Sequence, residues 1–192
     1  METDSTLCAI VAFPLLDARD RQWIESIRAK HDPQVDLIGA HFTLVFPTVM
    51  SRRIAEAHAA RVAGVTEPIR FVLRRAAVVP DAIGAGGHTF LLPDEGRDEI
   101  RQLHDRLYEG PLHAHLPKHA FTPHMTVAAR PAIEPLDHLA AEINAAGQSI
   151  RGSISEIVLV EVTSAAIQPL IRLPLGRPDV PENLPSAVRQ QS

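Results

Sequence analysis

The chain has 192 residues, 45% of them hydrophobic and 4% aromatic, with 19 basic side chains against 23 acidic ones and a formal net charge of -4. That length and composition suit one globular domain, or two small lobes sharing a core, with no need of disulfides or a structural metal to fold. The acidic balance excludes a long duplex gripped through many phosphates, and the few aromatics count against an extended stacking platform for single strands, while small anionic ligands and RNA ends stay open.

Cys8 is the single cysteine and lies in an apolar run, so it reads as a small core residue in a reducing compartment. The start, METDSTLC, is acidic and lacks the basic region of a signal peptide, and no apolar run approaches the ~20 residues of a membrane span. The expected location is the cytosol, with no membrane partner, no duplex DNA partner and a monomeric state.

In chain order, the apolar run 7–13 predicts a buried strand. Asp17 caps a helix to about residue 30, with Trp23, Ile24 and Ile27 on one face. A polar loop over 32–39 leads to a strand over 41–46, which Pro47 is expected to end because proline cannot donate to a ladder. Ser51 caps a helix to Gly64, with Ile54, His58 and Val62 on its apolar face. A long strand follows over 69–79, then a glycine-rich hairpin loop over 81–87 and a strand over 88–92. The second half continues with a helix over 95–109, a loop over 111–123 and a strand over 124–129. A helix over 134–147 and strands over 154–162 and 167–173 complete it. Residues 176–192 carry no apolar period and read as a mobile tail.

An internal repeat organises this list. HFT at His41–Thr43 and HMT at His124–Thr126 are 83 residues apart, and the same offset superposes the helices after them, their closing glycines and the strands beyond. The fold expected is therefore α+β, a bilobal internal duplication with pseudo-repeats at about 5–80 and 88–173. Two antiparallel sheets would flank a central cleft, with helices outside, in one domain over 1–175.

Because side chains alternate along a strand, Phe42, Leu44 and Phe46 fall on one face and His41, Thr43 and Val45 on the other. Likewise Met125, Val127 and Ala129 oppose His124, Thr126 and Ala128. Two such strands would line one cleft with two imidazoles and two hydroxyls. Imidazole serves as base or acid near neutrality. Two of them across a phosphate can hold complementary protonation states, while threonine hydroxyls donate to the non-bridging oxygens. That chemistry needs no metal, nucleotide or other cofactor.

HFTL at His41–Leu44 with Phe46, and HMTV at His124–Val127 led by Phe121 and Pro123, resemble the two-histidine phosphoesterase superfamily. The likeness is to its bacterial 2′-5′ RNA ligase-like and cyclic phosphodiesterase branch, and extends to about residue 175. It implies two catalytic histidines, His41 and His124, and phosphate contacts from Thr43 and Thr126. The implied activities are metal- and ATP-independent: hydrolysis of 2′,3′-cyclic phosphates or of ADP-ribose cyclic phosphate, and reversible 2′-5′ ligation of RNA ends. The substrates would be RNA ends or small cyclic nucleotides. Two departures stand out. Pro47 and Thr48 replace a glycine turn after the first motif, and Ala129 stands where many members carry arginine, with Arg130 one residue later. Arg130 is a candidate phosphate contact if the strand runs on.

Other groups weigh less. His113, His115 and His119 have a spacing that could bind zinc, but a loop wall beside the site is the simpler role. GAGGHT at Gly84–Thr89 lacks the Gly-Lys-Ser/Thr of a nucleotide phosphate loop. A non-catalytic RNA- or phosphate-binding module on the same fold is the competing reading, disfavoured by the integrity of both His-Thr pairs.

Overall fold

The computed structural model describes residues 5–81 and 85–176. The expected tail lies outside them except for Gly176, as does the centre of the glycine-rich loop. The elements are β1 (Ser5–Ala12), β2 (Leu15–Leu16), α1 (Ala18–His31), β3 (Phe42–Ser51), α2 (Arg52–Ala63), β4 (Ile69–Pro80) and β5 (Gly87–Glu95). They continue with α3 (Arg97–Leu107), a 3-10 helix (Gly110–His115), β6 (Met125–Arg130), α4 (Glu134–Ala145), β7 (Ile150–Ile154), β8 (Glu156–Val162) and β9 (Ile167–Pro174). None of the described helices is long and apolar enough to cross a membrane.

The strands form one nine-stranded sheet in the order β2-β7-β4-β5-β6-β3-β1-β8-β9, antiparallel throughout. The expectation of two separate sheets is corrected by β3 and β6, which meet at the middle through the pair Phe42↔Met125. Both side chains there are fully buried, so the apolar faces of the two His strands close the gap between the halves. To one side of this junction lie β1, β8 and β9, to the other β5, β4, β7 and β2. The strand expected over 154–162 breaks at Ser155: Ile154 ends β7, a strand not expected from sequence, and the rest is β8, and the two serve opposite ends of the sheet, β7 pairing with β4 and β2, β8 with β1 and β9.

The helices cover one face. There Ile24, Ala55, Ala59, Ile100, Leu103, Leu107, Leu136 and Ile143 pack against Ile10, Phe42, Leu44, Phe71 and Ile157 in the main core. Asp17 caps α1, its side chain accepting from the Asp20 N–H, and Ser51 caps α2 likewise from Ile54. On α2, Ala55 and Ala59 sit inward with His58 and Val62, while Ile54 is exposed; small residues let the helix lie close to the sheet. At Gly96, before α3, φ is +78° and an added Cβ would lie 2.2 Å from the Arg70 carbonyl, so only glycine fits. The opposite face holds a smaller apolar cluster of Ala9, Val11, Ile38, Val158 and Val160.

Local breaks in the ladders decide what the His strands show. In β3 the register steps from Ile10↔Val45 to Val11↔Thr43, leaving Leu44 as an extra residue. In β6 it steps from Thr89↔Ala128 to Phe90↔Thr126, leaving Val127 extra. A bulge turns the residues beyond it to the other face. Val45 and Ala128, expected beside their histidines, are consequently buried in the helix-side core. Phe46, expected in that core, lines the open side instead. Nor does Pro47 end its strand. It falls in a second irregularity, between Cys8↔Thr48 and Ile10↔Val45, where no ladder bond is asked of it, and β3 runs to Ser51. The Phe46 N–H beside it donates to the Tyr108 hydroxyl at 3.0 Å.

Candidate active site

A cleft of about 590 Å³ occupies the face without helices, lined from β8 and the Ile167 end of β9 on one side to Val79 of β4 on the other, so the sheet curls around it. His41, Thr43, His124 and Thr126 all line it. Antiparallel register through Phe42↔Met125 sets Thr43 opposite His124 and His41 opposite Thr126. The histidines, each one residue before its strand, are then diagonal neighbours across the junction. Both imidazoles and both threonine hydroxyls therefore open on one cleft.

Both rings are held the same way. His41 Nδ1 lies 2.8 Å from the Gly39 carbonyl and His124 Nδ1 2.7 Å from the Thr122 carbonyl, in each case two residues back. A carbonyl only accepts, so Nδ1 carries the hydrogen and donates it. The neutral ring is left with its lone pair on Nε2. Burial lowers the His41 pKa below the ordinary histidine range, against the pull of the Gly39 bond. Burial, with the repulsion of His41 and His88, lowers that of His124 to about 4. Without substrate, both rings are neutral near pH 7.

The loop before His41 is pinned from beneath. Arg28, on the buried face of α1 and only 1% exposed, donates from Nε to Asp32 (2.9 Å), from Nη1 to Glu25 (2.9 Å) and from Nη2 to the Ile38 carbonyl (2.6 Å). Glu25 in turn accepts from the Ala40 N–H at 2.9 Å. His124 is steadied differently: its ring stacks on Phe90 with centroids 3.7 Å apart and planes at 19°. His88 stacks on the same Phe90 at 5.8 Å, with Nε2 3.1 Å from Asp81 Oδ1. None of Arg28, Phe90 and His88 was anticipated from sequence. The signals were present as Glu25 and Asp32 at helical spacing from Arg28, and as the alternation of His88, Phe90 and Leu92.

Arg130 is not brought to the cleft. The bulge at Val127 turns it to the helix side, where its guanidinium donates to the Lys30 carbonyl at the end of α1 and approaches His31. Of the zinc-spaced histidines, His119 lines the cleft, whereas His115 faces the Thr48 hydroxyl at 3.1 Å. Among the described residues, no three His, Cys, Asp or Glu side chains gather as a metal site requires. His58 is a satisfied core residue, its Nε2 donating to the Leu107 carbonyl at 3.0 Å.

A family model described as the 2′-5′ RNA ligase superfamily matches residues 16–165. A Bacillus licheniformis protein provisionally named a phosphoesterase is 28% identical over 127 residues, which are 63% of this chain and 69% of that one. Among solved structures, E. coli LigT in complex with 3′-AMP aligns with a TM-score of 0.60 at 18% identity, over 90% of this chain and 99% of that one. Usb1 of Kluyveromyces marxianus aligns with a TM-score of 0.53 at 12% identity over the same shares. At these identities the structural matches establish a shared α+β fold with a curled antiparallel sheet.

Proposed function

The chain belongs to the 2′-5′ RNA ligase superfamily, and from that premise we propose that it is a phosphodiesterase opening 2′,3′-cyclic phosphates of RNA ends or small nucleotides, with His41 and His124 as its acid and base. Membership supports a phosphoesterase. The finer reading rests on one observation: both histidines line the same cleft with Nδ1 held by a backbone carbonyl, which leaves Nε2 for proton exchange, and both threonines line it with them.

In this reading the phosphate sits between the rings. The neutral imidazole accepts a proton from water as the water oxygen bonds to phosphorus, and the imidazolium opposite protonates the ribose oxygen as its bond to phosphorus breaks. The proton lost by one ring is gained by the other; the same ring-opening path with a ribose 5′-hydroxyl in place of water amounts to ligation, and its reverse cleaves the 2′-5′ link and closes the cyclic phosphate again. Thr43 and Thr126 donate to the non-bridging oxygens as charge builds there. The arrangement of strands on either side of the β3–β6 junction supports a duplicated unit as the origin of this two-sided site, within one domain ending near residue 175.

The test is turnover of 2′,3′-cyclic nucleotides and of cyclic-ended RNA, with 2′-5′-linked dinucleotides in parallel, with and without excess chelator. His41→Ala and His124→Ala should each lower turnover by about 10²–10⁴, and the double variant by less than the product. Activity should survive chelation. Binding of these ligands without turnover would establish the non-catalytic module instead.

A further inference from the structure

The tautomer of each motif histidine depends on the carbonyl two residues before it, so whatever holds that carbonyl decides which ring nitrogen keeps a lone pair. On the His41 side the residues flanking Gly39 are fixed by charged groups: Arg28 donates to the Ile38 carbonyl, and Glu25 accepts from the Ala40 N–H. On the His124 side the acceptor is the Thr122 carbonyl. It lies in residues 116–124, a stretch with neither helix nor strand, between the 3-10 helix that ends at His115 and β6. His119, Phe121 and Thr122 of this stretch line the cleft together with His124. Without a ladder, its side chains must hold it.

Pro123 keeps Thr122 extended from one side. Phe121 holds it from the other. The Phe121 ring lies on that of His104 in α3, with centroids 3.8 Å apart and planes at 3°. His104 is itself buried, and its Nδ1 donates to Asp105 Oδ1 at 2.8 Å. Tyr108, one turn on at the end of α3, packs against the His104 ring at 4.8 Å, and its hydroxyl accepts from the Phe46 N–H. One turn of helix thus bears on both halves of the site, Tyr108 on β3 and His104 on the approach to β6. Burial lowers the His104 pKa below the ordinary histidine range, against the pull of Asp105, so the stacked ring is neutral near pH 7.

We propose that His104 is a positioning residue for His124: stacked on Phe121, it fixes the Thr122 carbonyl that keeps the His124 hydrogen on Nδ1. His104 does not line the cleft and acts through Phe121. The consequence for turnover rests on the reading of His124 as a proton-transfer group; the consequence for its tautomer does not.

The test is NMR of nitrogen-labelled imidazoles near neutral pH, which reports the nitrogen carrying the hydrogen, with His41→Gln and His124→Gln identifying the two signals. In the wild type both rings should carry it on Nδ1. His104→Leu removes the stack and gives up only a bond to the exposed Asp105. In that variant the Nε2–H form of His124 should rise by about tenfold, the worth of one loosened hydrogen bond, while His41, whose loop Arg28 and Glu25 hold, stays unchanged. His104→Phe keeps a flat ring on Phe121 and should restore the wild-type pattern. Phe121→Leu removes the same stack from its other side, should reproduce the change, and decides the matter if His104→Leu does not fold. Turnover of a 2′,3′-cyclic nucleotide should fall by about 10–10² in His104→Leu, through kcat, and recover in His104→Phe. An unchanged His124 tautomer in either folded leucine variant overturns the proposal. So does a change that His41 shares, or a folded His104→Phe in which His124 is as mixed as in His104→Leu. Loss of turnover without a tautomer change would remove this proposal and leave the catalytic reading. A tautomer change confined to His124 with turnover intact would keep the hold on His124 and remove its catalytic role.

Discussion

His124 titrates at about 4 in the free protein, because burial strips solvent from the imidazolium and His41 and His88 disfavour another positive charge. At about pH 7 roughly one ring in a thousand is then charged, and charging it costs about 4 kcal/mol at 1.36 kcal/mol per factor of ten. A phosphodiester held about 4 Å away attracts an imidazolium by about 4 kcal/mol at an effective dielectric of about 20. The two effects offset each other, so the bound phosphate itself prepares the acid. The perturbation is saturation with a dinucleoside monophosphate that lacks 2′-hydroxyls and so is not cleaved. The assay is an NMR titration of the imidazole resonances, with His124→Gln identifying the signal. The His124 midpoint should move from about 4 in the free protein to near neutrality in the complex. A free midpoint near 6.5, or one that saturation leaves in place, would refute the reasoning.

Thr43→Val and Thr126→Val keep shape and remove one donor each; turnover should fall by about 10–10³ with both limbs of the pH–rate bell near their original positions, as steady-state rates across pH would show. Loss of one limb would instead make that hydroxyl a partner of a histidine proton. Arg28→Met leaves Asp32 and Glu25 without their buried partner and frees the loop before His41; chemical denaturation should show a loss of about 3–5 kcal/mol, and activity should fall with it. Stability should also follow the His124 proton. Its folded midpoint lies below the unfolded one of about 6.5, so the unfolded chain binds more protons between about pH 4 and about 6.5. The contribution is complete above that window and lost as pH falls through it. It amounts to about 3 kcal/mol at most. Urea midpoints at about pH 7 and about pH 4.5 should therefore differ more for wild type than for His124→Gln.

Sequence alone determined the things that depend on local order. The apolar runs gave most strands, Asp17 and Ser51 marked two helix starts, and the offset between the HFT and HMT segments pointed to one shared site. His41, Phe42 and Thr43 were assigned to their faces correctly because alternation holds until a ladder is disturbed. Only the tertiary structure decided what lies past the disturbance. A bulge depends on the partner strand as much as on its own residues, so nothing within LVFP or VAAR announces that Val45 and Ala128 turn inward, Phe46 turns to the cleft and Arg130 leaves it. The same limit explains the sheet. The strand expected over 154–162 loses Ile154 to β7, which the sequence reading did not mark, so neighbouring residues contribute to both ends of a single sheet joined at Phe42↔Met125, since pairing is chosen by neighbours distant in sequence. It explains the electrostatics as well: composition counts Arg28 as a positive charge, and only packing shows that two carboxylates and a carbonyl have already taken it.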